Sequence, residues 1–520
     1  MTGMASGMDT QSIVQQLVDA QSYKKTKLKN NQTKLEWKQE SWKTLNSKIY
    51  NFYNTKLGEM KYDAFFNKKK ASIVDSSVAQ VSAEGNAVNG VQTLAVKKLA
   101  KSAYVTGKQL EGSSNATLAA AYMDGSFEDR TYKIFKGPDD KQGTEVTINN
   151  QMTLTQVANA FSKAGINASY DEKNQRFFLS SKESGEAAQF EFGVKVDGEW
   201  KRGGEAVEND TFLSNIGITK NTAAGFIEGS DAQIELNGVN YTSKNNMFNI
   251  NGLSITATKV SAYELKDKNA EDTEENRVYT TTNVSTETDV DSIYDSIKDF
   301  FKEYNELINE MAKLYNAENA KDYDILTDEQ KDSMTDEEVE KWEGKIKDGL
   351  LRRDEDLRTA MDTLRNGMAE SFDIGGQKFS LSSFGINTLS YFEAADNEKY
   401  AFHVDGDKDD THTASNKDML RSALADDLDT VRSFFKQLSG ATYSTMTKQM
   451  QSSEYRSVYS MYDDKALQKE YDQYTEDIKR EEERVSNYED KWYDKFAKME
   501  SAMEKMNSKT SALSSILGMN

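Results

Sequence analysis

Residues 466–517 read ALQKEYDQYTEDIKREEERVSNYEDKWYDKFAKMESAMEKMNSKTSALSSIL, and the apolar side chains recur at steps of three, four or seven: Leu467, Tyr471, Tyr474, Ile478, Val485, Tyr488, Trp492, Phe496, Met499, Met503, Met506, Leu513 and Leu517. Such spacing lines one face of a helix and predicts a coiled-coil seam. The consecutive steps of four from Tyr488 to Trp492 to Phe496 form a stutter that locally unwinds the supercoil. An apolar stripe on an ordinary helix covers its own protein's core. A periodic run well beyond 25 residues without caps points instead to a rod that needs a partner.

The other end of the chain supplies a candidate. Asp9 precedes Ile13, Leu17 and Ala20 and is placed to cap a helix, because its carboxylate accepts the free N–H groups of the first turn. Leu28, Leu35, Trp42 and Ile49 then recur every seven residues, with Leu45 and Phe52 between the later members. A helix from Thr10 to Leu57 would run for about 72 Å at the usual helical rise. From Met1 to Lys70 there are 13 Lys against 6 Asp and Glu, whereas Tyr462–Asn520 holds 14 acids and 10 bases. The two ends thus carry opposite net charge, and the expectation is that they pair.

Between these rods the hydrophobic period changes. Short apolar stretches such as Val91–Val96, broken by Gly85, Asn89-Gly90 and Gly107, read as strands and turns. Thr153 and Gln156 form a capping box ahead of Leu154, Val157, Ala158 and Phe161. Ala168–Ser180 reads as a hairpin around Asp171–Asn174. Asn237-Gly238 sits between two alternating apolar runs and Asn251-Gly252 precedes Leu253, Ile255 and Ala257, the signature of tight hairpins whose two turn residues need positive φ. Glu264–Glu275 reads as an exposed acidic loop. Helical spacing returns at Val290, Ile293, Ile297, Phe301, Tyr304, Ile308 and Met311 and persists around Leu350–Leu364. Strand-like sequence covers Phe372–Val404, and one further amphipathic helix carries Leu424, Leu428, Val431 and Phe435. The fold class is therefore α+β and multidomain: terminal helices enclose a helical layer, which encloses a β-rich insertion.

Composition narrows function more than fold. At 520 residues with 37% hydrophobic and 29% charged residues, the chain divides into several domains with much surface facing water. A net charge of -21 argues against nucleic-acid binding, which needs a surplus of Lys and Arg. The basic segment 24–70 does interleave Trp37, Trp42, Tyr50 and Phe52, but those aromatics fall mostly on the heptad seam, where packing claims them. Cysteine is absent, which removes disulfides, thiolate metal sites and cysteine nucleophiles together. Only Pro138 could interrupt a helix or strand by its ring. No run of 18 apolar residues exists to span a membrane, and Met1–Ala20 lacks the basic opening and apolar middle of a secretory signal.

No residue set for catalysis emerges, so no cofactor is expected and the chain does not read as an enzyme. His403 and His412, the only histidines, have no nucleophile or further ligand near them in sequence and read as surface residues. Asp405, Asp407 and Asp409 imitate the start of a calcium loop, but Asp410 stands where the loop needs Gly and Asn416 where it needs a bidentate Glu. The reading is a solvated acidic turn, with no metal site.

Several segments, in order, resemble one family. Gly7-Met8-Asp9-Thr10-Gln11-Ser12-Ile13-Val14-Gln15-Gln16-Leu17 is similar to the N-terminal signature of the flagellar filament cap family, also called hook-associated protein 2. Gly229-Ser230-Asp231-Ala232-Gln233-Ile234-Glu235-Leu236-Asn237-Gly238, with Ile250–Thr256 after it, resembles the family's central hairpin. Leu326–Lys331, continuing through Trp342-Glu343 to Gly349–Arg352, resembles another of its segments, with Ile325 where the family pattern has proline. Phe496–Met506 with Leu513 and Leu517 resembles its C-terminus. Residues 106–228 diverge.

The resemblance implies a homo-oligomeric ring at the distal filament tip, outside the cell, with flagellin, filament and hook-associated proteins as partners. It also implies unfolded export through the flagellar type III apparatus with its chaperone, which agrees with the missing signal peptide. The implied domains are 1–48 and 462–520 as coiled-coil helices, 49–70 and 286–461 as a helical leg, 71–105 and 223–285 as an inner head, and 106–222 as a variable outer head. The seam residues at both ends are the implied assembly site. The alternative is another hook-associated or coiled-coil adhesin-type structural protein; a hydrolase on a helical stalk would need a converging catalytic set in the head, where no histidine lies. Host-surface adhesion by the outer head has no residue pattern behind it.

Overall fold

The computed structural model describes residues 7–123 and 129–517, with side chains in the last helix described as far as Ser514. The chain forms two compact units, one made of residues up to Phe66 and from Val290 onward, the other of Asn67–Asp289. The architecture is α+β: among the described residues, the terminal helices and two two-stranded sheets belong to the first unit and the other sheets to the second.

The second unit is built from antiparallel sheets. A five-stranded sheet has the order Lys69–Ile73, Thr282–Thr288, Gly90–Lys98, Ala232–Leu236 and Val239–Ser243. A three-stranded sheet of Met247–Ile250, Leu253–Ala257 and Ala79–Ala83 packs with it, burying Leu94, Val96, Ile234 and Val284 with Phe248 and Ile255. Alternation of buried and solvated side chains in these strands follows from the period of two along a pleated backbone. Asn237 and Gly238 have φ of 51° and 78°, Asn251 and Gly252 of 48° and 79°. These are the positive values that make Asn-Gly the favoured two-residue turn. Between Tyr104 and Ile227 lie two four-stranded sheets and the helix Leu154–Lys163. Thr153 and Gln156 close a reciprocal capping box there, and Leu154, Val157, Ala158 and Phe161 are buried.

The first unit is helical. Its core is gathered by the helix Val290–Tyr315, whose Ile293, Ile297, Phe301, Tyr304, Ile308 and Met311 point inward, together with the helices Glu355–Met368 and Leu428–Gln449. Two expectations change here. Helical structure around Leu350 begins only at Glu355, because Asp354 caps it by accepting the Asp356 and Leu357 N–H groups. The single helix expected through Leu424, Leu428, Val431 and Phe435 is two, Met419–Asp426 and Leu428–Gln449. Asp427 leaves the helical region at φ -150° and caps the second helix through Thr430 N–H, as Asp does when its side chain competes for backbone donors.

The N-terminal helix runs Thr10–Asn51 and continues as a π-helical turn, Phe52–Leu57. Asp9 caps its start, accepting Ser12 N–H at 3.2 Å. Within this turn Phe52 meets Phe300 with ring centroids 5.3 Å apart, while Tyr53 stacks on Tyr443 at 4.2 Å. The C-terminal helix is Asp464–Leu517.

Candidate assembly site: the paired terminal helices

The two terminal helices lie antiparallel. Trp42 stacks on Tyr462 with centroids 4.9 Å apart, Gln32 donates to Thr475 Oγ1 at 2.7 Å, and Lys24 Nζ reaches Glu481 Oε1 at 2.5 Å. Residue numbers fall on one helix of the pair as they rise on the other, the mark of an antiparallel coil. The charge difference between the ends is thereby used locally. Lys29 meets Glu482 at 2.7 Å, and Lys24 and Lys29, through their hydrogen bonds, hold the Glu481 and Glu482 carboxyls below the usual glutamate range.

Along the N-terminal helix, Leu35, Trp42, Leu45, Ile49 and Phe52 are buried and Leu28 is half-buried. At the tip the seam departs from the sequence expectation by one residue. Ile13 is exposed and Leu17 only half-buried, while Val14 and Val18 are buried. The reason is in the heptad itself: two steps of seven back from Leu28 land on Val14, so Ile13 belongs to the adjacent face.

Along the C-terminal helix, Ile478 and Val485 are buried, and Leu467, Tyr471, Tyr474, Tyr488, Trp492, Phe496, Met499 and Met503 are half-buried. Val14, Val18 and Val485 form a separate apolar cluster, closed by Trp492 and Phe496. Met506 and Leu513 are 67% and 58% exposed. The Leu517 side chain lies outside the described residues. Since Lys24 faces Glu481 and the N-terminal helix begins at Thr10, the last turns of the C-terminal helix face no residue of that helix.

One seam residue escapes an apolar reading altogether. Glu481 is 8% exposed and sits seven residues from both Tyr474 and Tyr488, a spacing that would have revealed it. Arg484 Nε lies 2.9 Å from its second oxygen. A polar group at a single seam position fixes register, because any slip strands it against apolar side chains.

Residues 229–508 match the family profile described as Flagellar hook-associated protein 2 C-terminus, and residues 6–103 match Flagellar hook-associated protein 2 N-terminus. The chain belongs to this family. A flagellar hook-associated protein 2 from Halalkalibacterium halodurans is 23% identical over 453 residues, covering 80% of this chain and 78% of its own length. A crystal structure of the D1-D2-D3 domains of the flagellar cap protein FliD from Escherichia coli shares the fold, with a TM-score of 0.50 at 16% identity, over 79% of this chain and 96% of that one. Proteins of the hook-associated protein 2 family are structural, not enzymes.

The acidic turn has its own cation. Lys298 Nζ lies 2.5 Å from Asp407 and 3.0 Å from Asp409, holding the loop to the helix Val290–Tyr315. Against the opposing effect of burial, its two carboxylate partners push the Lys298 ammonium well above its ordinary range. His403 Nδ1 pairs with Asp410 at 2.6 Å, and its ring meets His412 edge-on. Among the described residues no group of His, Asp and Glu is arranged to hold a metal, and no helix is long and apolar enough to cross a membrane.

Proposed function

We propose that this chain caps a flagellar filament from outside the cell, closing into a ring of identical copies at the distal tip and promoting the folding and insertion of arriving flagellin. The observation that carries this reading is the C-terminal helix outrunning its partner. Met499 and Met503 are half-covered and Met506 and Leu513 face solvent, yet they continue the seam of a helix whose earlier turns are paired. Isolated helices draw most of their stability from such packing, so this end is completed by neighbouring chains: second copies, filament subunits or hook-associated proteins.

In this reading residues 1–48 and 462–520 are the docking rods, 49–70 and 286–461 the leg, 71–105 and 223–285 the inner head, and 106–222 the outer head. Subunits reach the tip unfolded through the type III export apparatus, escorted by a chaperone. Absence of cysteine from the sequence suits such passage, since no disulfide can form in transit.

The test is genetic. Variants lacking residues 1–48 or residues 462–520 are supplied to a cap-deficient bacterium, and neither is expected to restore filaments. Growth of filaments with both would overturn docking through the rods. Electron micrographs of the intact protein should show rings; fibres or isolated rods would favour an adhesin-type structural protein.

A further inference from the structure

Beside the π-helical turn, the leg carries a run of tyrosines gathered around the buried Tyr53, and its outer members face solvent. Tyr459 meets Tyr50 at 5.3 Å, Tyr50 meets Tyr53 at 6.0 Å, and Tyr53 stacks on Tyr443. Lys61 Nζ caps the run, 3.3 Å from the Tyr443 centroid and 5.1 Å from that of Tyr62. Tyr62, Tyr455 and Tyr459 are each roughly half exposed, at 60%, 56% and 49%. No carboxylate among the described residues pairs with Lys61, or with the exposed Lys43 one turn before Asn46. Aromatic area of this extent, already ordered by ring contacts and rimmed by unpaired cations, has the composition of a protein-binding surface.

The opposite flank of the same helix carries a complement. Helices Asp328–Asp332 and Asp336–Asp348 form a lobe held to the N-terminal helix by Lys34–Asp324 at 3.1 Å and by Lys347, 4.5 Å above the Trp37 ring. Trp342 Nε1 donates to the Asp324 carbonyl at 2.8 Å and stiffens it. Asp328, Glu329, Asp332, Asp336, Glu337 and Glu340 are exposed, and no described cation pairs with any of them. Helix dipoles explain acids in the first turns. They do not explain Asp332, which ends its helix, where negative charge is disfavoured.

At 3.6 residues per turn, Lys43, Asn46 and Tyr50 share one face of the N-terminal helix. Lys34 and Trp37 lie about half a turn away, across the buried stripe of Leu45, Ile49 and Phe52. Unlike patches on opposite flanks are what a head-to-tail ring requires, whereas a two-fold contact would bring the lysines of one patch against themselves. We propose that the acidic lobe of one copy docks on the tyrosine–lysine ledge of the next copy in the ring. The inference rests on the ring reading above and names the surfaces that close it. Tyrosine area supplies the affinity, and opposite charge supplies orientation and rejects the reversed contact.

The cysteine-free chain allows a direct test on the full-length protein. With Tyr459→Cys and Glu337→Cys in one chain, a short bis-maleimide should give a ladder of covalent oligomers. Each single variant should give none, and an equal mixture of the two should give dimers. Lys61→Glu should raise the concentration for half-assembly at least tenfold, and Asp332→Lys with Glu340→Lys in the same chain should reverse most of that rise. Circular dichroism shows whether each variant is folded. Linking within Tyr459→Cys alone, or assembled protein without a 337–459 product, overturns the ledge while leaving the ring. A wild-type chain that stays monomeric in sedimentation, even with flagellin present, overturns both.

Discussion

The coil behaves differently at its root and at its tip. At the root, Trp42, Leu45 and Ile49 are buried in the same continuous core as Phe300, Leu364 and Phe435, and Tyr462 closes over Trp42. At the tip, the buried cluster is Val14, Val18 and Val485, with Trp492 and Phe496 against it. Between them the ionic layer of Lys24, Glu481 and Arg484 interrupts the apolar seam. The N-terminal helix keeps one heptad from Val14 to Ile49; what changes is whether other elements pack on the side away from its partner helix. A seam residue backed by a domain is a core residue, whereas one on a bare pair of helices keeps part of its surface for a further chain.

That contrast is broken most forcefully at the root. Trp42→Ala should destabilise the whole first unit by about 3–5 kcal/mol, the usual loss for a large buried aromatic, read as a lower midpoint in denaturant with one cooperative transition. At the tip, Val14→Ala should cost about 1.5 kcal/mol from two lost buried methyl groups. The change should show as faster hydrogen exchange confined to residues 10–20 and 485–496, with the global midpoint unmoved. If exchange quickens throughout the first unit, root and tip are one cooperative body and the contrast fails.

The ionic layer gives a smaller, pH-dependent effect. Because Lys24 holds the Glu481 carboxyl below its unfolded value of about 4.3, its contribution is present above that value and is lost as pH falls through the lower folded one. Protection factors at the tip, corrected for the intrinsic pH dependence of exchange, should therefore fall as pH drops from about 4.3 towards the folded value, and Glu481→Gln should flatten that fall. The smallest effect belongs to Ile13→Ser, expected to shift the monomer's stability by no more than about 0.5 kcal/mol, as for other exposed sites. A loss equal to that from a polar residue at position 14 would put Ile13 back in the seam.

Much of this was legible in the residues. The three-four spacing of the C-terminal helix, the Asp9 cap, the Thr153–Gln156 box and both Asn-Gly turns are local signals, set by backbone geometry within a few residues. Val14 and Glu481 are legible only by extending the heptad strictly, because Ile13 is the larger apolar side chain beside Val14 and the charge of Glu481 disguises its seam position. The break at Asp427 was harder to see, since one apolar period runs through both helices and only the cap geometry divides them.

By itself, then, the sequence determined that two long helices exist, where the first begins, and that they carry opposite charge, because helical period, caps and charge are properties of neighbouring residues. Only the tertiary structure decided which turn faces which, that Lys298 reaches the acidic loop from another helix, and that Tyr50, Tyr443 and Tyr459 are linked by ring contacts through Tyr53. Those facts depend on residues hundreds of positions apart. Their meeting is governed by how the core packs, and no local pattern records it.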